Sequence, residues 1–145
     1  MEYKITSLAP SDIKGIAEIE KECFSEPWSE GAIKEAFDYG TTFFVAKSED
    51  TVIGYVGVKK ILDEADIANV AVTKKARKCG VGDSLIKAVS DWAKQEGVKK
   101  VSLEVRVTNY AAISLYKKHN YTEVGRRKNF YRNPTEDALI LSYEV

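Results

Sequence analysis

Val70-Ala71-Val72-Thr73-Lys74-Lys75-Ala76-Arg77-Lys78-Cys79-Gly80-Val81-Gly82-Asp83-Ser84-Leu85-Ile86 joins a short apolar run to a basic, glycine-bearing loop and then to an amphipathic segment. The apolar run, Asp66 to Thr73, has the composition of a strand. After the loop, Leu85, Ile86, Val89, Trp92 and Ala93 fall on one helical stripe. Gly97 then predicts the end of that helix. Two glycines let the backbone of Arg77 to Gly82 adopt positive φ and approach a ligand closely. The first N–H groups of a helix have no acceptor within it, and the helix dipole adds positive potential there. Together they favour an anion such as a pyrophosphate. Arg77 and Lys78 add charge beside it. A nucleotide P-loop would need Gly-Lys-Ser/Thr, which is missing, and a dinucleotide loop would need glycine where Leu85 stands. A plain strand-to-helix turn satisfies the same pattern.

Outward from this stretch, strand and helix periods alternate, which predicts α/β or α+β architecture. Tyr3 to Thr6 is a short strand. Ser11-Asp12 opens a helix carrying Ile13, Ile16, Ala17, Ile19 and Phe24 at helical spacing. Glu26-Pro27-Trp28 breaks it, and Ser29 is placed to cap a second helix through Phe37. Phe43 to Ala46 and Val52 to Val58 flank polar turn residues and predict a hairpin. Val101, Leu103, Val105 and Val107 alternate with Ser102, Glu104 and Arg106, so the two sets occupy opposite faces of one strand. Asn109 is placed to cap a short helix bearing Ala112, Ile113, Leu115 and Tyr116. Strands around Tyr121 to Arg127 and Ala138 to Tyr143 close the chain.

The bulk properties set limits. At 145 residues the chain suits a single domain, 1–145, with a core of its own. Lys plus Arg and Asp plus Glu number 22 each, so the formal charge is zero and no bulk attraction to nucleic acid or membrane is expected. Two cysteines, Cys23 and Cys79, and the single His119 do not make a metal-binding pattern. No secretory segment or membrane-length apolar run is present, so a cytoplasmic protein with reduced thiols is expected. Nothing specifies an oligomer, and a monomer is the default expectation.

Arg-x-x-Gly-x-Gly before a helix resembles the pyrophosphate loop of the GNAT superfamily of acetyltransferases. The likeness extends through Asp63 to Val72, Leu103-Glu104-Val105-Arg106-Val107-Thr108-Asn109 and Ala111 to Tyr116. Glu26-Pro27-Trp28-Ser29, Arg127-Lys128-Asn129-Phe130-Tyr131 and Glu136-Asp137-Ala138 belong to the same pattern. Taken together these motifs resemble one branch, the ribosomal-protein-alanine N-acetyltransferases, over almost the whole chain. Lys78 and Cys79 depart from the glycine or glutamine common in relatives, and His119-Asn120-Tyr121 from a Leu-Gly-Phe type of turn.

The resemblance implies a mixed, mostly antiparallel sheet flanked by helices, with the strands near Val70 and Leu103 as a splayed parallel pair. It implies acetyl-CoA as acetyl donor, with its pyrophosphate over Arg77, Lys78, Cys79, Gly80, Val81 and Gly82. Its pantetheine would lie along the backbone of Val70, Ala71 and Val72, and no metal is involved. Glu104 is implied as general base and Tyr116 as general acid beside the cofactor. Without the resemblance, Glu104 and Arg106 are solvent-facing charges on a half-buried strand, and Tyr116 is helix-face packing. Asn109 caps its helix and could also reach the cofactor. Trp28, Asn129, Phe130 and Tyr131 lie in segments that would wall the acceptor groove; aromatic anchoring of loops is an equal reading. A direct transfer needs no nucleophile, so Cys79 is not expected to carry the acetyl group. The acceptor implied is a protein N-terminus, foremost the N-terminal alanine of a small-subunit ribosomal protein. A small amine such as a polyamine, an amino acid or an antibiotic is the alternative.

Overall fold

A computed structural model describes all of residues 1–145. Its elements run in the order β1 (Lys4–Ser7), α1 (Ile13–Cys23), α2 (Glu30–Asp38), β2 (Thr42–Ser48), β3 (Thr51–Ile61), β4 (Glu64–Val72), α3 (Val81–Gln95), β5 (Lys100–Arg106), α4 (Tyr110–Lys118), β6 (Thr122–Tyr131) and β7 (Glu136–Glu144). The strands form one sheet of order β1-β2-β3-β4-β5-β7-β6. Every neighbouring pair is antiparallel except β4 and β5. The helix between those two strands, α3, supplies the crossover that a parallel pair requires.

Helices cover both faces. On one, α3 lays Val81, Leu85, Ile86, Val89 and Ala93 against Val56, Val58, Val101, Leu103 and Val105. On the other, Ile16, Ala17 and Ile19 of α1 and Ile33 of α2 pack on Phe43, Val45 and Tyr55. Burying each large side chain of this kind contributes about 1.5–3 kcal/mol. Double coverage explains the run Ile53 to Val58, which is buried throughout. A strand covered on both faces has no polar face to alternate with.

The parallel pairing of β4 with β5 is confined to Glu64–Asp66 against Lys100–Ser102. Beyond Asp66 the strands part. In the same stretch Gly57 pairs with Asn69 while Val58 pairs with Ile67, which leaves Ala68 as an extra residue, a β-bulge in β4. The bulge shifts the alternation by one, so Ala65, Ile67, Val70 and Val72 all contact the α3-side core. Ala71 joins the opposite one.

The expected elements are all present, with local differences. The third helix starts at Val81, one residue before Gly82. Asn129, Phe130 and Tyr131, expected in a loop segment, belong to β6. Their register breaks between Arg127 and Tyr131, and Asn129 has φ +53°. The side chain of Asp137 holds this kink, accepting from the Asn129 N–H at 2.8 Å and from Arg126 Nε at 2.9 Å.

Candidate active site

Where β4 and β5 separate, a cleft of about 490 Å³ opens between them. Ile67 to Val70 form one side and Leu103 to Arg106 the other. The α1–α2 connection, through Cys23 to Glu26 and Trp28, and Phe130, Tyr131 and Arg132 also line it, and these two segments meet where Asn133 Nδ2 donates to Glu26 Oε1 at 3.1 Å. Asn109, Ala112 and Tyr116 reach in from α4. The facing backbone edges of β4 and β5 are unpaired with each other here, so their polar groups are available to an extended ligand.

Glu104 points from β5 to the face opposite α3, while Tyr116 belongs to the α3-side core. A carboxylate and a phenol thus approach one gap from opposite faces of the sheet. Arg127 of β6 forms an ion pair with Glu104, its Nε 3.1 Å from Oε2. Tyr116 is only 4% exposed. Burial is the main cause that raises its phenol pKa, with Tyr121 and Tyr131 adding to it. That phenol remains protonated at any ordinary pH and can donate.

The neighbouring strand position is also organised. Arg106 donates to Glu136 Oε1 at 3.0 Å and to the carbonyls of Arg132 and Pro134 at 2.7 and 2.9 Å. Its guanidinium lies 4.5 Å from the centre of the Tyr131 ring. Alternation alone made Arg106 a solvent-facing charge; it is a clamp on the β6–β7 turn.

At the other end of β4, Gly80 adopts φ +82° as the cap of α3. That conformation strains any residue with a Cβ. A Cβ on Gly82 would stand 3.1 Å from Leu115 Cδ2, so this glycine lets α4 pack closely on α3. This helix start is where the sequence places the anion cradle; the N–H groups of Val81, Gly82 and Asp83 have no acceptor within the helix. Arg77 is turned away from it. Its Nε donates to the Val72 carbonyl at 3.2 Å, and Nη2 lies 3.4 Å from Cys23 Sγ. Burial pushes the Cys23 thiol pKa up against the opposing effect of Arg77. Lys78 and Cys79 are exposed beside the cradle.

Of the expected site residues, Trp28, Val70, Glu104, Asn109, Tyr116 and Tyr131 meet in the cleft. Ala71 and Val72 do not line it: Ala71 packs toward α1, and the Val72 carbonyl is occupied by Arg77. Asn129 is outside as well, its N–H spent on Asp137. Asn109 Oδ1 accepts from the Ala112 N–H at 3.2 Å, so capping its helix is its observed role. His119 is no free surface group; with Lys118 it binds Asp83, at 2.9 and 3.0 Å, and joins α4 to the first turn of α3.

Sequence reasoning missed Glu20. It is 0% exposed. Oε1 accepts from the Trp28 N–H at 2.9 Å, and Oε2 accepts from Asn69 Nδ2 at 3.0 Å and from the Tyr55 hydroxyl. Burial raises its carboxyl above the usual range, opposed by the Trp28 N–H and the Tyr55 hydroxyl. A signal was present: on the stripe Ile13, Ile16, Ala17, position 20 calls for an apolar residue. Arg127 was missed too, since strand alternation in β6 says nothing of a partner on β5.

A splayed parallel pair thus leads to a glycine-capped helix start, with a carboxylate and a phenol at the gap between its strands. Residues 13–121 match the acetyltransferase (GNAT) family. The chain is 32% identical over 143 residues to the [ribosomal protein bS18]-alanine N-acetyltransferase of Haemophilus influenzae, covering 95% of this chain and 96% of that one. It is 36% identical over 157 residues to an N-alpha-acetyltransferase of Sulfolobus acidocaldarius, covering 97% and 91%. The crystal structure of the ribosomal-protein-S18-alanine N-acetyltransferase from Escherichia coli superposes with a TM-score of 0.92 at 29% identity, over 99% of this chain and 94% of that one. The chain belongs to the GNAT family of acetyltransferases and is an acetyl-CoA-dependent N-acetyltransferase.

Proposed function

We propose that this enzyme acetylates the N-terminal α-amino group of a protein, foremost a small-subunit ribosomal protein that begins with alanine. The observation that carries this reading is the placement of Glu104 and Tyr116 at one gap between β4 and β5. The similarity to N-terminal acetyltransferases over nearly the whole chain supports the acceptor class. The aromatic walls of Trp28, Phe130 and Tyr131 suit the first residues of an extended peptide.

The cofactor supplies an acetyl group activated as a thioester. The glycine-capped cradle at Gly80 and Gly82 would hold its pyrophosphate, and the unpaired edge of β4 around Val70 would hold its pantetheine arm. An N-terminal amine, with pKa about 7.7–8.0, is largely protonated at neutral pH and must lose a proton to attack. Glu104 takes that proton, directly or through water, and Arg127 sets the carboxylate's orientation beforehand. The amine attacks the thioester carbonyl. Free N–H groups of β4 receive the charge that develops on its oxygen. Tyr116 gives its proton to the departing sulfur. Proton and acyl group move without a covalent enzyme intermediate, so Cys79 is a bystander.

The test compares acceptors at saturating acetyl-CoA, with CoA thiol release as readout. A peptide beginning with alanine should be acetylated with kcat/KM at least about 10²-fold above spermidine or free alanine, as expected where remote contacts are used for positioning. Turnover confined to spermidine or free amino acid would overturn the proposal.

A further inference from the structure

Transfer requires the acceptor amine and the acetyl group to meet at near-contact distance, yet the cleft walls come from separate elements. The loop around Trp28 walls the acceptor side. The bulge at Ala68 and Asn69 shapes the cofactor side. Glu20 is the one buried carboxylate that touches both: Oε1 holds the Trp28 N–H and Oε2 holds Asn69 Nδ2. Tyr55, fully buried in β3, donates to the same Oε2 and fixes the carboxylate from beneath. Glu20 itself does not line the cleft. A buried carboxylate is costly unless donors satisfy it, and an aliphatic residue would fill this helix position without that cost. Three donors converge here, two of them from cleft-lining residues.

We infer that Glu20 is a positioning residue that sets the spacing between the acceptor loop and the cofactor strand. The inference rests on the cleft being the place of transfer. Glutamine at position 20 keeps the shape but has one acceptor oxygen and an NH₂ group that faces donors, so at least one tether is lost. Asn69→Ala releases only the strand.

The experiment measures acetyl-CoA affinity by calorimetry, kcat and KM for an alanine-terminated peptide, and thermal unfolding. It uses wild type, Glu20→Gln, Asn69→Ala, the double variant and the core variant Ile33→Val. For Glu20→Gln, turnover should fall about 10–100-fold, the scale of an ångström-sized misplacement. Peptide KM and acetyl-CoA Kd should both rise, while the shape of the pH profile stays that of wild type. Asn69→Ala should weaken acetyl-CoA and leave peptide KM unchanged. The double variant should bind acetyl-CoA no worse than Glu20→Gln, because both remove the same tether. Ile33→Val should lower the melting temperature with kinetics intact. Unchanged kcat and affinities in Glu20→Gln would overturn the inference, as would Ile33→Val reproducing its kinetic losses. If Glu20→Gln fails to fold, undiminished acetyl-CoA affinity in Asn69→Ala is the overturning result. If wild type acetylates no peptide, the proposed acceptor is wrong, and the acetyl-CoA arm still decides the tether.

Discussion

Replacing Tyr116 with phenylalanine should separate chemistry from folding. The ring is 4% exposed and packs with Tyr121 at 5.7 Å between centroids. Phenylalanine fills the same space, and only the hydroxyl is lost. Desolvation and neighbouring tyrosines alone shift the Tyr116 phenol, and no hydrogen bond contributes. Removing it breaks no protein contact, so stability should change by less than about 0.5 kcal/mol. For a chain of this length that is a melting-temperature change of at most about 2 °C. As proton donor to the departing sulfur, the same hydroxyl should contribute about 10²–10⁴-fold to turnover, or about 2.7–5.4 kcal/mol of barrier. The matched control is Tyr121→Phe. Its hydroxyl is also buried, has no partner and lies outside the cleft, so its loss should leave turnover within about threefold. Stopped-flow or continuous thiol-release assays beside thermal denaturation read both quantities. Turnover in Tyr116→Phe within threefold of wild type would refute the assignment. So would equal losses in Tyr116→Phe and Tyr121→Phe, which would show a packing effect.

Two further outcomes follow from the geometry. Gly80→Asp puts a Cβ and a negative charge into a residue at φ +82° beside the anion cradle, and calorimetry should show acetyl-CoA affinity lowered by at least about tenfold; undiminished affinity would place the pyrophosphate elsewhere. Lys118, then His119, holds the Asp83 carboxyl below its usual range, so its stabilisation is present above that range and lost as pH falls through the lowered value. The stability gap between wild type and Asp83→Asn, under about 1 kcal/mol because the pair is solvent-screened and read from thermal unfolding, should close as the pH falls below about 5, and a gap that widens below that pH would reverse the sign of the coupling.

Local pattern made much of this molecule legible. The Ser29 and Asn109 caps and the stripe of α3 follow from rules that operate within a few residues, and each is observed. The parallel pair was implied by the family resemblance, and the helix between its two strands supplies the crossover such a pair needs. Long-range polar pairing was not. Arg127 meets Glu104, Arg106 clamps the β6–β7 turn, and Glu20 collects donors from three elements. Such partners are chosen by tertiary packing, and strand alternation gives only the face on which a charge sits. The bulge at Ala68 was hidden for a related reason: one extra residue in an apolar run leaves no mark on composition. It is also why Ala71 points away from the cleft while Val70 lines it.

The proposed acceptor wall includes β6, an edge strand with almost every side chain in solvent. The proposed cofactor wall stands on β4, with apolar residues engaged in the cores on both faces. Truncating a buried aliphatic residue of β4 or β5 costs about 2–5 kcal/mol, while most changes along β6 cost within about 0.5 kcal/mol. Mutation can therefore explore the acceptor side at little risk to folding while the donor side stays fixed. A lineage built on this scaffold can change what it acetylates far more readily than what it acetylates with, and a laboratory library aimed at new acceptors belongs on positions 124 to 132, with Arg127 kept for its pairing with Glu104.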